Sequence, residues 1–197
     1  MKPEKVDICV FGASSYRIDS AYMDAAHELG TLMAQRGWGC MNGAGGFGLM
    51  KAVTDGVLDA GGHVLGVIPK FMVDNGWCYD RLTDVLITAD MHERKQQLQL
   101  RSEAIIALPG GCGTLEELLE AITWCQLGLA VKPIVMLNTQ GFFNPLVQML
   151  EDCVEKGFMR TSHAKLWTVA DTPAQALDAI ERQLTEGIPQ VECKNLP

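Results

Sequence analysis

An apolar run that ends in a glycine-rich turn is the feature that most constrains the fold of this chain. Residues 104–108 read A-I-I-A-L and predict a buried strand, and residues 109–117 continue as P-G-G-C-G-T-L-E-E. An amphipathic helix pattern then runs from Leu118 and Leu119 to Cys125, so the glycines lie at a strand-to-helix turn. Backbone N–H groups and the helix dipole favour an anion at such a turn. The segment therefore predicts a phosphate-binding loop.

The side chains at this turn suggest chemistry as well as binding. The predicted phosphate-binding residues are Gly110, Gly111, Cys112, Gly113 and Thr114. The Thr114 hydroxyl is expected at the N-cap, and Glu116 and Glu117 place carboxylates in the first helical turn beside the anion. Thr114 and Glu117 also match a capping box, in which Glu117 would only accept the N–H of the N-cap residue. The pattern alone leaves both roles of Glu117 open.

Strand and helix patterns alternate along the whole chain. Predicted strands cover residues 6–11, 39–41, 63–68, 84–87, 104–108, 133–137 and 166–169. Predicted helices cover residues 21–36, 49–59, 91–102, 114–125, 145–156 and 173–184, and residues 70–82 are predicted to be an irregular loop. This order predicts an α/β fold with a doubly wound, mostly parallel sheet and helices on both faces. We expect one domain over residues 1–197, with a core of about 6–185 and a tail at 186–197.

Two further loops are expected to meet the glycine turn. Ser14 and Ser15 follow the first predicted strand, and Gly45 and Gly46 follow the second. Because the carboxyl ends of parallel strands lie at one edge of the sheet, all three loops should converge on one ligand. The G-x-G-x-x-G pattern at 43–48 does not favour a dinucleotide, since it follows the second strand and no acidic residue ends the next one.

Composition and charge exclude several classes of function. The formal net charge of −8 argues against a nucleic-acid-binding protein, and no apolar run is long enough to cross a membrane. The N-terminal residues do not resemble a secretion signal, so a cytoplasmic location is expected. The seven cysteines are scattered without C-x-x-C spacing, so neither a disulfide framework nor a metal site is predicted.

A second cluster of candidate residues lies at the start of the helix predicted at 91–102. Arg94 and Lys95 are cations close to a helix N-terminus, where the dipole disfavours them. Either both are solvated surface residues, or one of them meets a ligand anion at the same sheet edge. His92 is a weaker candidate for a general base, because a histidine satisfied at the surface or in the core is commoner.

In combination these motifs resemble the LOG family of cytokinin riboside 5′-monophosphate phosphoribohydrolases. Residues 109–117 match its P-G-G-x-G-T-x-x-E signature, and residues 91–95 match its M-H-x-R-K segment. Residues 43–50 are similar to its G-G-G-x-x-G-L-M loop, residues 62–69 to its G-G-x-V-x-G-V-I-P strand, and residues 155–158 also fit. The resemblance covers about residues 6–185.

The resemblance implies a Rossmann-like homodimer that hydrolyses the N-glycosidic bond of a nucleoside 5′-monophosphate, either AMP or a cytokinin riboside monophosphate. It assigns catalysis to Arg94 and Glu117 and the phosphate to the loop from Gly110 to Thr114, without a cofactor. Further candidate substrate contacts are Ser14, Ser15, Gly45, Gly46, Lys95 and Glu116. A lysine decarboxylase is not supported, because no lysine has a pyridoxal phosphate context. The alternative is a non-catalytic carrier of a phosphorylated ligand such as molybdenum cofactor.

The sequence departs from the family pattern at three places. Ala44 stands where the second glycine of its loop is expected, and Cys112 occupies a variable position that is often aromatic. After Ser14 and Ser15 the chain continues with Tyr16 and Arg17, and the usual glycine is absent. The apolar faces of the helices predicted at 21–36 and after Thr114 are suited either to the dimer interface or to core packing.

Overall fold

Seven parallel strands form one sheet in the computed structural model, which describes residues 6–189. In chain order the strands are β1 (Asp7–Phe11), β2 (Gly39–Asn42), β3 (Val64–Pro69), β4 (Asp84–Thr88), β5 (Ala104–Ala107), β6 (Ile134–Leu137) and β7 (Thr168–Ala170). Their order across the sheet is β4-β3-β2-β1-β5-β6-β7. The predicted α/β, doubly wound architecture is confirmed. Residues 1–5 and most of the predicted tail, with Cys193, lie outside the described part.

Helices connect the strands and cover both faces of the sheet. They are α1 (Ser20–Gln35), α2 (Gly48–Asp59), α3 (Lys70–Asp74), α4 (Met91–Arg101), α5 (Cys112–Gln126), α6 (Asn144–Glu155) and α7 (Pro173–Glu186), with short 3-10 turns at Thr139–Gly141 and Thr161–Lys165. Helices α1, α2 and α7 pack on one face, and α4, α5 and α6 pack on the other. Side chains of β1 alternate between these two cores, with Ile8 in the first and Cys9 in the second.

The strand order changes direction between β1 and β5. The chain passes from β1 outward to β4 along one half of the sheet, then returns to β5 on the other side of β1. In such folds the ligand lies outside the carboxyl ends of the strands at this switch point. The loops after β1 and β5 flank that position, and the loop after β2 lies beside them.

Most predicted bounds are shifted by one or two residues, and three differences from the predictions bear on the fold. The segment 70–82 is not wholly irregular, because it begins with the short helix α3, whose Lys70 Nζ donates to Asp74 Oδ1 at 2.8 Å one turn later. The last strand begins at Thr168, since the preceding residues belong to a 3-10 turn and its end. Helix α5 begins two residues before the predicted N-cap Thr114, as described below. Within residues 6–189, no helix is long and apolar enough to span a membrane.

Candidate active site

Backbone hydrogen bonds join the three predicted loops at the carboxyl edge of the sheet. The Ala13 N–H donates to Pro109 O at 3.1 Å, which ties the β1 loop to the β5 loop, and the Leu49 N–H donates to Ala13 O at 2.8 Å, which ties it to α2. Gly48 allows this approach, because it adopts φ +59° and a Cβ there would lie 2.5 Å from Ala13 O and Ser15 O. The expected convergence of the three loops is confirmed.

The N-terminus of α5 opens toward this junction without a side-chain cap. The helix begins at Cys112, and its N-cap residue is Gly111 in an extended conformation. A Cβ added at Gly111 or Gly113 would meet no atom within 4 Å, so both positions are open on the ligand side. The first-turn amides of α5 are therefore available to an anion.

The prediction that Thr114 is the N-cap is wrong. Because the Gly111 backbone is extended, the helix starts earlier and Thr114 becomes its third residue, only 5% exposed. The Thr114 hydroxyl instead packs against Gly110, where a Cβ would lie 2.1 Å from Thr114 Oγ1. The capping box that would have made Glu117 a purely structural residue is therefore not formed.

Glu117 instead faces Arg94 of the neighbouring helix α4. The Arg94 Nη1 atom lies 3.2 Å from Glu117 Oε1, and the two side chains are only 9% and 12% exposed. Arg94 is thus not the solvated surface residue that one interpretation of the sequence allowed. The structure brings together the two residues to which the resemblance assigns catalysis.

Capping of α4 and a backbone contact fix the position of Arg94. Asp90 Oδ1 accepts the Glu93 N–H at 2.9 Å, and Glu93 Oε2 accepts the Ala89 N–H at 2.7 Å. These two hydrogen bonds fix the first turn of α4. The Arg94 Nε–H donates to Val67 O, in β3, at 3.2 Å. The guanidinium is therefore oriented by protein groups before any ligand binds.

Gly43 is a site residue that the sequence analysis did not single out. A Cβ at this position would lie 2.0 Å from Arg94 Nη2, so only glycine leaves room for the guanidinium. Its place directly after β2, at the carboxyl edge of the sheet, is the signal that could have identified it. In the next position Ala44 is buried at φ +62°, a conformation that favours the glycine expected there.

We expect Gly43→Ala to lower kcat/KM for base release at least about tenfold, because the added methyl must displace the Arg94 guanidinium from Glu117. Base release and the melting temperature of the variant check this prediction. A melting temperature close to that of the wild type would show that the effect is local to the site and not a loss of folding. Wild-type activity of Gly43→Ala would show that the position of Arg94 is unimportant.

Burial and neighbouring charges act in opposite directions on Glu117. Burial raises the pKa of the Glu117 carboxyl above its usual value, and the Arg94 guanidinium opposes this rise. The Glu116 carboxylate adds a smaller contribution in the same direction as burial. Arg94 thus opposes the protonation of Glu117 that burial favours.

Lys95 and Glu116 form an ion pair with each other. Lys95 Nζ donates to Glu116 Oε1 and lies 3.2 Å from Glu120 Oε1, so it links α4 to α5. The hydrogen bond to Glu116 raises the pKa of Lys95. The predicted role of Lys95 and Glu116 in substrate binding stays a prediction, but any ligand would have to compete with this pair.

The other predicted contacts lie around the junction. Ser14 and Ser15 are exposed in the β1 loop, and Cys112 is exposed at the first residue of α5. Gly45 and Gly46 are half-buried against the segment that follows α3. Gly45 pairs with Cys78 of this segment, and Gly46 lies against Tyr79. His92 is exposed on the first turn of α4. Residues 6–189 contain no cluster of side chains suited to a metal ion.

Comparison with known proteins relates this geometry to a family. A family model described as "Possible lysine decarboxylase" matches residues 50–180. A probable cytokinin riboside 5′-monophosphate phosphoribohydrolase of Oryza sativa subsp. japonica is 42% identical over 174 residues, which cover 88% of this chain and 71% of the rice protein. A cytokinin riboside 5′-monophosphate phosphoribohydrolase of Arabidopsis thaliana is also 42% identical over 174 residues, 88% of this chain and 81% of the plant protein.

Solved structures show the same fold in a protein of a different description. The molybdenum cofactor carrier protein of Chlamydomonas reinhardtii superposes with a TM-score of 0.70 at 25% identity, over 93% of this chain and 99% of that protein. The sequence identity to the two plant phosphoribohydrolases is higher than that to the carrier protein, and the alignments cover most of both chains. The resemblance seen in the sequence motifs is thereby confirmed, and this chain belongs to the LOG family of phosphoribohydrolases.

Proposed function

We propose that this chain hydrolyses the N-glycosidic bond of a nucleoside 5′-monophosphate and releases the free base and ribose 5-phosphate. The observation that carries the proposal is the buried ion pair of Arg94 and Glu117 beside the uncapped N-terminus of α5. A phosphate bound at this N-terminus would fix one end of the ribose. The names of the curated relatives describe the same reaction class.

The first step of the proposed mechanism is binding of the 5′-phosphate. The amides of Gly111, Cys112 and Gly113 and the helix dipole of α5 provide a positive field that needs no lysine or arginine. This explains how an acidic chain with a net charge of −8 can bind an anion. With the phosphate held there, C1′ of the ribose is brought toward Glu117, which lies further along the same helix.

The second step is cleavage of the bond between C1′ and the base nitrogen. As this bond lengthens, positive charge develops on the ribose ring, and the Glu117 carboxylate stabilises it. Glu117 also orients the attacking water and accepts one of its protons, while the base leaves with its bonding electrons and takes up a proton. Arg94 supports the ionised form of Glu117 and holds its orientation.

The identity of the base is the finer part of the proposal. The curated relatives are described as acting on cytokinin riboside monophosphates, and we propose the same substrate class here, with AMP as a second substrate. The test is incubation with isopentenyladenosine monophosphate, AMP and pyrimidine monophosphates, followed by quantification of free base. Preferential release of isopentenyladenine is expected, and no release from any member of the panel would reject the proposed activity.

A non-catalytic carrier of a phosphorylated ligand is the second candidate, favoured by the similarity to the molybdenum cofactor carrier of Chlamydomonas reinhardtii. The buried Arg94–Glu117 pair counts against it, because a carrier does not need a carboxylate and a guanidinium paired beside its ligand. Retention of a pterin through purification, with no turnover of the nucleotide panel, would favour the carrier.

We further propose that the enzyme is a cytoplasmic homodimer that pairs through the outer face of α5. The apolar side of α1 packs into the core against α2 and α7, so it is not available for a partner. By contrast, Leu119 on α5 and Leu127 directly after it are exposed and line a groove of about 760 Å³ together with Trp124 and Leu129. Sedimentation equilibrium should give twice the chain mass, and the Leu127→Glu variant should sediment as a monomer. A monomeric wild type would contradict this proposal.

A further inference from the structure

An exposed arginine lies in the loop that follows β1. The Arg17 N–H donates to Ser15 Oγ at 3.2 Å, and the Arg17 guanidinium carbon lies 5.8 Å from the centroid of the Tyr16 ring. Within residues 6–189 no carboxylate pairs with this guanidinium. It therefore rests on an aromatic face and keeps all of its charged donors available.

The backbone places this loop at the proposed phosphate site. Ala13 bonds to Pro109 at the start of the β5 loop, and Ser15 O lies against Gly48 at the N-terminus of α2. The N-termini of α2 and α5 thus both face the β1 loop that carries Arg17. An anion bound between them would lie beside the loop that carries the Arg17 side chain.

The other cations near this edge are already paired. Arg94 contacts Glu117, Lys95 contacts Glu116 and Glu120, Lys51 contacts Asp55, and Arg81 contacts Asp55 and Asp59. Among these cations Arg17 differs in having no acidic partner to give up when a phosphate arrives.

We propose that Arg17 leaves the Tyr16 ring and binds the 5′-phosphate of the substrate as a bidentate ligand. This inference rests on the proposed function, and it makes Arg17 a determinant of specificity for phosphorylated over unphosphorylated nucleosides. A guanidinium matches two phosphate oxygens with parallel N–H donors, a geometry that lysine lacks. In this proposal Arg17 contacts the phosphate and neither Glu117 nor the bond that breaks, so it acts on binding and leaves the chemical step unchanged.

The experiment is calorimetric titration of the whole chain with ribose 5-phosphate, a ligand that has no glycosidic base to lose. Arg17→Ala is expected to weaken binding about tenfold or more, and Arg17→Lys should recover only part of the loss. Arg101→Ala is the matched control, because Arg101 is an exposed arginine at the far end of α4 that bonds Gln97. Gly111→Ala is the positive control. Its methyl would occupy the open space at the N-terminus of α5 where the phosphate is proposed to bind, so it should weaken the binding of ribose 5-phosphate.

A second readout separates binding from a merely structural effect. With AMP or isopentenyladenosine monophosphate, Arg17→Ala should raise KM while kcat and the melting temperature stay close to those of the wild type. Unchanged affinity for ribose 5-phosphate in Arg17→Ala would overturn the inference. If the wild type releases no base, the proposed activity fails, whereas an Arg17-dependent affinity for ribose 5-phosphate would still support the phosphate contact.

Discussion

The Glu117→Gln variant is expected to release base on the order of a hundredfold or more slowly than the wild type. Glutamine keeps the size of the side chain and can still accept a hydrogen bond from Arg94, 3.2 Å away. It removes the negative charge that stabilises the ribose cation and the site that accepts the proton of water. Steady-state kinetics with isopentenyladenosine monophosphate measure the effect, and ribose 5-phosphate affinity serves as the control for an intact site.

The same variant also changes how stability depends on pH. Because burial raises the pKa of Glu117 in the folded chain, folding favours its protonated form. This contribution to stability is fully present below the usual glutamate pKa and is lost as the pH rises through the raised value. The wild type should therefore lose stability relative to Glu117→Gln over that interval, measured as the difference in melting temperature. A difference that stays constant with pH would show that the Glu117 pKa is not raised.

Replacing Arg94 with methionine is expected to have the largest effect on stability. Arg94 and Glu117 are a buried pair, and removal of one partner leaves the other charge without compensation, at a cost of about 3–5 kcal/mol. Base release should be lost as well, because the pKa of Glu117 rises further once the guanidinium is gone. Chemical denaturation at neutral pH and the base-release assay measure the two effects.

A double variant tests whether the lost stability comes from the unpaired carboxylate. Arg94→Met combined with Glu117→Gln should regain roughly 2 kcal/mol or more of that loss, without regaining activity. Arg101→Met, at the exposed end of the same helix, is the control for the loss of one positive charge and should change stability by less than about 1 kcal/mol. Strictly additive effects of the two substitutions would contradict a direct coupling of Arg94 and Glu117.

The sequence was sufficient to predict the fold and the convergence of the three loops at one edge of the sheet, where the candidate site lies. Strands such as β1 and β5 are short apolar runs, and the loops that follow them contain glycine or serine. The alternation of such strands with helices predicts a parallel sheet whose loops converge at one edge. The residues of M-H-x-R-K and P-G-G-x-G-T-x-x-E also lie together as the resemblance implies. These features depend on local patterns, which a single sequence contains.

Local sequence patterns do not predict contacts between segments that are far apart in the chain. A cation near a helix N-terminus is usually solvated, and only the packing of α4 against β3 and α5 makes Arg94 a buried residue. The spacing of Thr114 and Glu117 also allowed a capping box, but the extended backbone at Gly111 moved the start of α5. Gly43 is required by the Arg94 guanidinium, which lies about fifty residues further along the chain.

Product analysis with isopentenyladenosine monophosphate is the most direct test of the central claim. The wild type and Glu117→Gln are incubated with this substrate, and free isopentenyladenine and ribose 5-phosphate are quantified over time. The account predicts that the wild type forms the two products in equal amounts and that the variant forms them at least about a hundredfold more slowly. Absence of free base with the wild type, or an equal rate with Glu117→Gln, would contradict it.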